Sequence, residues 1–231
     1  MGRVHYDGLA AEYDAFMDAH SGYYRACAEA LARLLGRGDG PCLDLGCGGG
    51  HFIDVTKALG WRVVGIDLSA DQLSRARVRH PDTTFVECDA ADTPFDDHAF
   101  DAAYSTFTHT DVDDFAGLVA EARRVLQPGG RFVYVGNHPC FVGATQEHVE
   151  NGPPILHPGY RASGRRDAAD APGATPAGWR VRLGSFVHVP LGPLLTAFAG
   201  LTLADAEELD DGYDYPKTVA LCWRKPSWRK P

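Results

Sequence analysis

Apolar and polar positions alternate along the chain in a pattern that changes period from element to element. Leu9, Tyr13 and Phe16, then Tyr23, Cys27, Ala30, Leu31 and Leu34, recur at helical spacing and predict helices over 9–19 and 22–36. "PCLDLGC" (41–47) is a short apolar run entered through Pro41, which reads as a buried strand. Gly48–Gly50 break it into a helix over 51–60, and a second strand follows over 61–69. Ser69 is placed to cap a helix that ends at His80, with Pro81 just beyond. Residues 83–90 and 100–107 read as strands three and four. The helix expected over 111–127 starts acidic and ends basic, which suits the helix dipole. "PGG" then turns the chain into strand five, over 131–136.

The pattern weakens after that point. Residues 136–161 gather three of the ten histidines among prolines, glycines and aromatics, and 162–178 carry little periodicity. Residues 179–190 alternate, 191–200 are helical in pattern, and 201–209 and 218–224 read as two final strands. Strands alternating with helices at this spacing imply right-handed crossovers. The fold class expected is three-layer α/β, a doubly wound and mainly parallel sheet.

At 231 residues the chain is one domain, or one domain with a sizeable insertion. Its 45% apolar and 23% charged residues are an ordinary balance for a soluble protein. The sequence has neither an apolar run near the ~20 residues of a membrane span nor a signal-peptide core at its start. A cytoplasmic protein without membrane contact is expected. The six cysteines are scattered, with no CxxC, and read as free thiols. A net charge of −9 opposes a nucleic-acid surface. The doubled "WRKPSWRKP" at the C-terminus reads as a frayed tail over 224–231.

In such a sheet ligands bind at the carboxyl ends of the strands, where "DLGCGGG" (44–50) follows strand one. A dinucleotide fingerprint would need a third glycine where His51 stands. Asp44 precedes the first glycine by two, where a carboxylate would repel a pyrophosphate but attract an ammonium. Asp67 ends strand two and suits a ribose diol; Asp89 ends strand three and suits an adenine amino group. Three carboxylates around one glycine loop fit a cationic nucleoside amino acid better than a dinucleotide.

"LDLGCGGG", "VVGIDLS", "ECDAADTPF", "FDAAYSTFTHTDVDD" and "RVLQPGGRFVYVG", in this order and spacing, resemble the class I S-adenosylmethionine-dependent methyltransferases, most closely the bacterial small-molecule branch. The motifs cover 41–137. The resemblance implies seven strands, the last antiparallel, and S-adenosyl-L-methionine as cofactor, with S-adenosyl-L-homocysteine as product. It places Asp44, Gly46, Cys47 and Gly48 at the methionine moiety, Asp67 on the ribose, and Leu68, Asp89 and Ala90 around the adenine. Thr106 and His109 fall near the sulfonium, and Tyr13 falls over the cofactor, where core packing is an equal alternative.

Methyl transfer from a sulfonium needs a base only if the nucleophile must lose a proton. His138 and His109 are the candidate catalytic residues, and His138, Phe141, Tyr160 and His188 the candidate substrate contacts. For His138 a purely structural bond to loop backbone is an equal alternative. A metal held by His138, Cys140 and His157 is weighed and set aside, since only the first two are close in sequence. The expectation is one methyltransferase domain, with a helical cap over 5–36 and a substrate lid inserted over 138–189. It would act, as a monomer or homodimer, on a small, partly apolar molecule such as a biosynthetic intermediate. Two alternatives stay open: the same fold catalysing a non-methylating cyclisation, or a non-catalytic partner protein.

Overall fold

The computed structural model describes residues 6–149, 152–175, 178–210, 212 and 214–227. Residues 228–231 of the expected tail, and residue 5 of the expected cap, lie outside this set. Two helices, α1 (Ala10–Ala19) and α2 (Ser21–Leu35), precede the sheet. The chain then alternates β1 (Pro41–Leu45), α3 (Ile53–Ala58), β2 (Arg62–Asp67), α4 (Ala70–Arg79), β3 (Thr84–Glu87) and β4 (Phe100–Thr106). After a short 3-10 turn at Thr108–Thr110 come α5 (Phe115–Val125) and β5 (Leu126–Asn137). Between β5 and α7 (Leu191–Ala197) lie four short strands, β6 (Gln146–Glu147), β7 (Ile155–Leu156), β8 (Gly164–Asp167) and β9 (Ser185–His188), and helix α6 (Trp179–Leu183). The chain closes with β10 (Thr202–Glu208) and β11 (Thr218–Arg224).

Seven strands form one sheet in the order β10-β11-β5-β4-β1-β2-β3. β1 pairs in parallel with β2 and β4, β2 with β3, and β4 with β5. β11 runs antiparallel to both neighbours. Period-two alternation splits the strand residues between two cores. Leu43, Leu45, Ala103, Phe132 and Tyr134 pack against α5 and α7, while Cys42, Ala102, Tyr104, Val133 and Val135 pack against α2 and α3. Truncating one fully buried leucine, such as Leu31, costs about 2–5 kcal/mol in such a core.

The Ser69 cap is present: its hydroxyl accepts from the Gln72 N–H at 3.2 Å. α5 begins later than its acidic start suggests, because Asp114 caps it by accepting from the Gly117 N–H at 2.7 Å. β5 begins earlier than 131, taking in Pro128–Gly130 around a register shift against β4. Residues 179–190 are not one strand. Their first half is α6, stopped by Gly184 at φ +80, and only β9 is extended. β9 pairs antiparallel with β8, a strand inside the weakly patterned 162–178. No helix among the described residues is long and apolar enough to cross a membrane.

α1 is anchored onto the glycine-loop side of the sheet through one side chain. Asp14 accepts from Arg75 and pairs with Arg79 at 3.3 Å, both on α4. Arg79 also donates to the Gly49 carbonyl, and the His80 ring donates to the Gly50 carbonyl at 2.8 Å. The helix that carries Tyr13 and the loop that follows β1 are thus fixed to the same element.

Candidate active site

The loop after β1 is held by main-chain bonds. The N–H groups of Gly46 and Cys47 donate to the Ile66 carbonyl at 2.9 and 2.8 Å. Gly46 has φ +74, and a Cβ there would meet Thr108 Cγ2 at 2.5 Å, so glycine is required on both counts. Asp67, ending β2, accepts from the Gly48 N–H at 2.8 Å and from the Ser69 N–H at 2.9 Å. Asp89 Oδ1 accepts from the Ala91 N–H at 3.0 Å. These groups border a cavity of about 370 Å3, with Leu68, Ala90, Val112 and Leu118 as apolar wall.

Among the described residues, Asp44 Oδ1 and Gln72 Oε1 are buried near this cavity without a hydrogen-bond partner. An unsatisfied buried acceptor is costly unless a ligand supplies the donor. Burial pushes the Asp44 carboxyl up to about 8, with the Asp67 charge adding to the rise and the Tyr104 hydroxyl opposing it. Burial also raises Asp67, against the bonds it accepts from backbone N–H groups. A ligand with an ammonium for Asp44 and a diol for Asp67 would relieve both groups. The residues present therefore fit S-adenosylmethionine.

A second cavity, of about 740 Å3, adjoins the first. α1 and α2 supply Phe16, Tyr23 and Tyr24 to its wall, and Phe141, Arg180 and Phe186 come from the segment after β5. Tyr6, Tyr13, Phe107 and Asp111 line both cavities. Phe107 has φ +59, a left-handed conformation unfavourable for an aromatic residue, and it stands at the tip of β4. Burial raises Asp111 to about 6, opposed by the Arg180 charge and by bonds from Tyr6 and Thr110.

Of the residues named from sequence, Tyr13, Gly46, Gly48, Asp67, Leu68, Asp89, Ala90 and Thr106 come together around the smaller cavity. Asp44 and Cys47 lie behind it, both buried, with the Cys47 thiol directed to the Gly48 carbonyl. Phe141 lines the larger cavity.

The histidines are placed otherwise. His109 is buried in the core with Nδ1 bonded to the Tyr134 hydroxyl, and burial, aided by the Arg180 charge, lowers it to about 3. His138 is 5% exposed and uses both ring nitrogens. Nδ1 accepts from the Cys140 N–H at 3.2 Å, so Nε2 donates to Glu208 at 3.0 Å. Burial lowers its pKa despite the glutamate. His188 bonds the Tyr160 carbonyl at 2.7 Å, and the Tyr160 hydroxyl accepts from the Leu191 N–H at 2.8 Å. His157 bonds Glu147 at 2.9 Å rather than joining His138 and Cys140. These side chains hold the segment after β5 in place, and none is on the wall of either cavity among the described residues.

Sequence reading missed Tyr6, Phe107, Asp111 and Arg180. Asp111 lies inside the quoted "FDAAYSTFTHTDVDD", so its position was available; Tyr6 and Arg180 carried no signal.

The seven-stranded sheet and its glycine loop define a Rossmann-like, methyltransferase-type fold. Residues 43–134 match the family described as a methyltransferase domain. The chain is 34% identical over 116 residues to a malonyl-[acyl-carrier protein] O-methyltransferase of Erwinia billingiae, an alignment covering 50% of this chain and 46% of that one. It is 33% identical over 147 residues to a 2-phytyl-1,4-naphtoquinone methyltransferase of Trichormus variabilis, covering 59% and 64%. The crystal structure of an S-adenosylmethionine dependent methyltransferase from Mesorhizobium loti superposes with a TM-score of 0.69 at 26% identity, covering 85% of this chain and 96% of that one. The chain thus spans about half to just under two thirds of the two curated relatives. Over residues 43–134 it carries a methyltransferase domain, and in fold and sequence it is similar to the class I S-adenosylmethionine-dependent methyltransferases.

Proposed function

We propose that the protein transfers a methyl group from S-adenosylmethionine, held in the smaller cavity, to a small, partly apolar molecule held in the larger one. The observation that carries this is the wall shared by the two cavities, made by Tyr6, Tyr13, Phe107 and Asp111. When bound, the cofactor supplies an electrophilic methyl on a sulfonium. The protein's part is then to position the acceptor and exclude water.

Asp44 holds the cofactor ammonium, Asp67 the ribose hydroxyls and Asp89 the adenine edge. Tyr13 covers the cofactor from α1. The cap and the segment 138–189 close over the larger cavity, and ion pairs that join them to the rest support this. Arg182 of α6 pairs with Glu12 of α1, and Arg165 of β8 donates to Asp113 at 3.1 Å. His138, Tyr160 and His188 shape that segment rather than touching the acceptor. Where the acceptor must lose a proton, Asp111 takes it, being the carboxylate on the shared wall and ionised above about 6.

The test is incubation with methyl-labelled cofactor and a panel of hydroxylated and amino-substituted small aromatics. Label transfer with equimolar S-adenosylhomocysteine supports the proposal. Conversion of a substrate without S-adenosylhomocysteine overturns it in favour of non-methylating chemistry.

A further inference from the structure

Resting on that division of the two cavities, we propose that the larger one takes an anionic aromatic acceptor and that Arg180 is the anchor for its acidic group. The chain is acidic, with a net charge of −9, yet this wall is not. Among the described residues it carries Arg180 and Lys217 against a single carboxylate, Asp111. A cavity whose charge opposes that of its own protein selects for ligands of the opposite sign.

Arg180 has the stronger claim of the two cations. Its guanidinium lies 4.8 Å above the ring of Phe186, which is 1% exposed, so the charge is aimed by a rigid platform. It makes no hydrogen bond or ion pair with a described residue. Its charge still reaches the site, opposing the upward shifts of Tyr6, Tyr24 and Asp111. Asp111 lies within electrostatic reach of Arg180, yet among the described residues the two form no ion pair, so the guanidinium's donors stay unmatched. A half-buried guanidinium keeps five donors without a matched acceptor, and a planar acidic group fills that fork in bidentate fashion.

The rest of the cavity fits a flat, conjugated body. Tyr23 and Tyr24 stand 6.0 and 5.5 Å from the Phe107 ring, and Phe141 stands 5.9 Å from Tyr215. These rings present faces and edges on which an aromatic system packs at low entropic cost. About 740 Å3 is room for a small molecule of this kind and not for a polymer. Asp111, at the junction with the smaller cavity, is then left for the acceptor's reacting end. An acidic group at one end and a hydroxyl or amine at the other describe the substrate class.

The test uses three probes with one scaffold: 2-naphthoate, 2-naphthyl phosphate and the neutral 2-naphthamide. Their affinities are measured by calorimetry with S-adenosylhomocysteine saturating. Wild-type protein binds at least one of the two acids about tenfold or more tighter than the amide, and the stronger acid tells carboxylate from phosphate. Arg180→Ala loses that preference while its affinity for S-adenosylhomocysteine and its melting temperature stay unchanged, and Arg180→Lys recovers part of it. Equal binding of acids and amide, no binding of either acid, or a preference that survives Arg180→Ala overturns the proposal. Failure of S-adenosylhomocysteine itself to bind wild-type protein would instead defeat the cofactor reading beneath it.

Discussion

The two walls of the site are built in opposite ways. The proposed cofactor wall is main chain held by main chain and by one strand-end carboxylate: Gly46 and Cys47 bond the Ile66 carbonyl, and the Asp67 side chain accepts from the N–H groups of Gly48 and Ser69. The bonds to Ile66 and from Gly48 to Asp67 join neighbouring βα units of a parallel sheet. The acceptor wall is side chain on side chain, gathered from α1, α2, Phe107, Phe141, α6 and β9. Backbone geometry at a strand end can be met by few residue types, so the first wall is constrained residue by residue. A packed aromatic surface can be built from many sequences, so the second is free to vary with its ligand.

The largest expected effect lies where the walls meet. Asp111→Asn lowers kcat about 100-fold for an acceptor that must shed a proton. Its carboxyl must be ionised to act, so wild-type activity falls as pH drops through about 6, and the variant loses that limb of the profile. A pH–rate series on both proteins measures this. Behind the cofactor wall, Asp44→Asn removes a charged acceptor worth about 2–3 kcal/mol to an ammonium. Its affinity for S-adenosylhomocysteine, by calorimetry, falls about 30-fold or more. Gly46→Ala, which drives a Cβ toward Thr108 at φ +74, costs about 1–3 kcal/mol of stability and about tenfold in cofactor affinity. The smallest effects belong to the segment after β5. His138→Ala, which breaks the bonds to Glu208 and Cys140, costs about 1 kcal/mol in thermal unfolding and changes kcat less than about threefold. A loss of kcat comparable to that of Asp111→Asn would erase the distinction between the walls and return His138 to the chemistry.

The same contrast explains what the residues disclosed before any coordinates. The Ser69 cap, the left-handed Gly46 and the strand-end carboxylates each answer a local demand, and local demands are written in consecutive letters. The acceptor wall is not contiguous. Alternation of Trp179, Val181 and Leu183 with Arg180 and Arg182 suggested a strand, but Gly184 closes a short helix there, and helical geometry is what brings Arg180 to the cavity. His138 stood out by residue type, yet the position before it, Asn137 at the end of β5, is the one on the cavity wall. One step along an extended chain turns a side chain to the other face. His109 fell in the right loop, but its ring goes down into the core toward Tyr134 while Asp111, two residues on, lines both cavities.

In the proposed reading the smaller cavity holds the cofactor through the buried carboxyl of Asp44. In the ligand-free protein that carboxyl sits at about 8, so at neutral pH it keeps a proton that the unfolded chain would have lost. Folding stability of the free protein therefore falls as pH rises through this window, because the folded state binds more protons. An ammonium beside the group favours the carboxylate and expels that proton. Calorimetric titration with S-adenosylhomocysteine from pH 6 to 8.5, in buffers of different ionisation enthalpy, reads this directly. Proton release near neutral pH, with affinity rising toward pH 8 and then levelling, is the result predicted. Binding with no proton release and no pH dependence, or release that persists in Asp44→Asn, would contradict it.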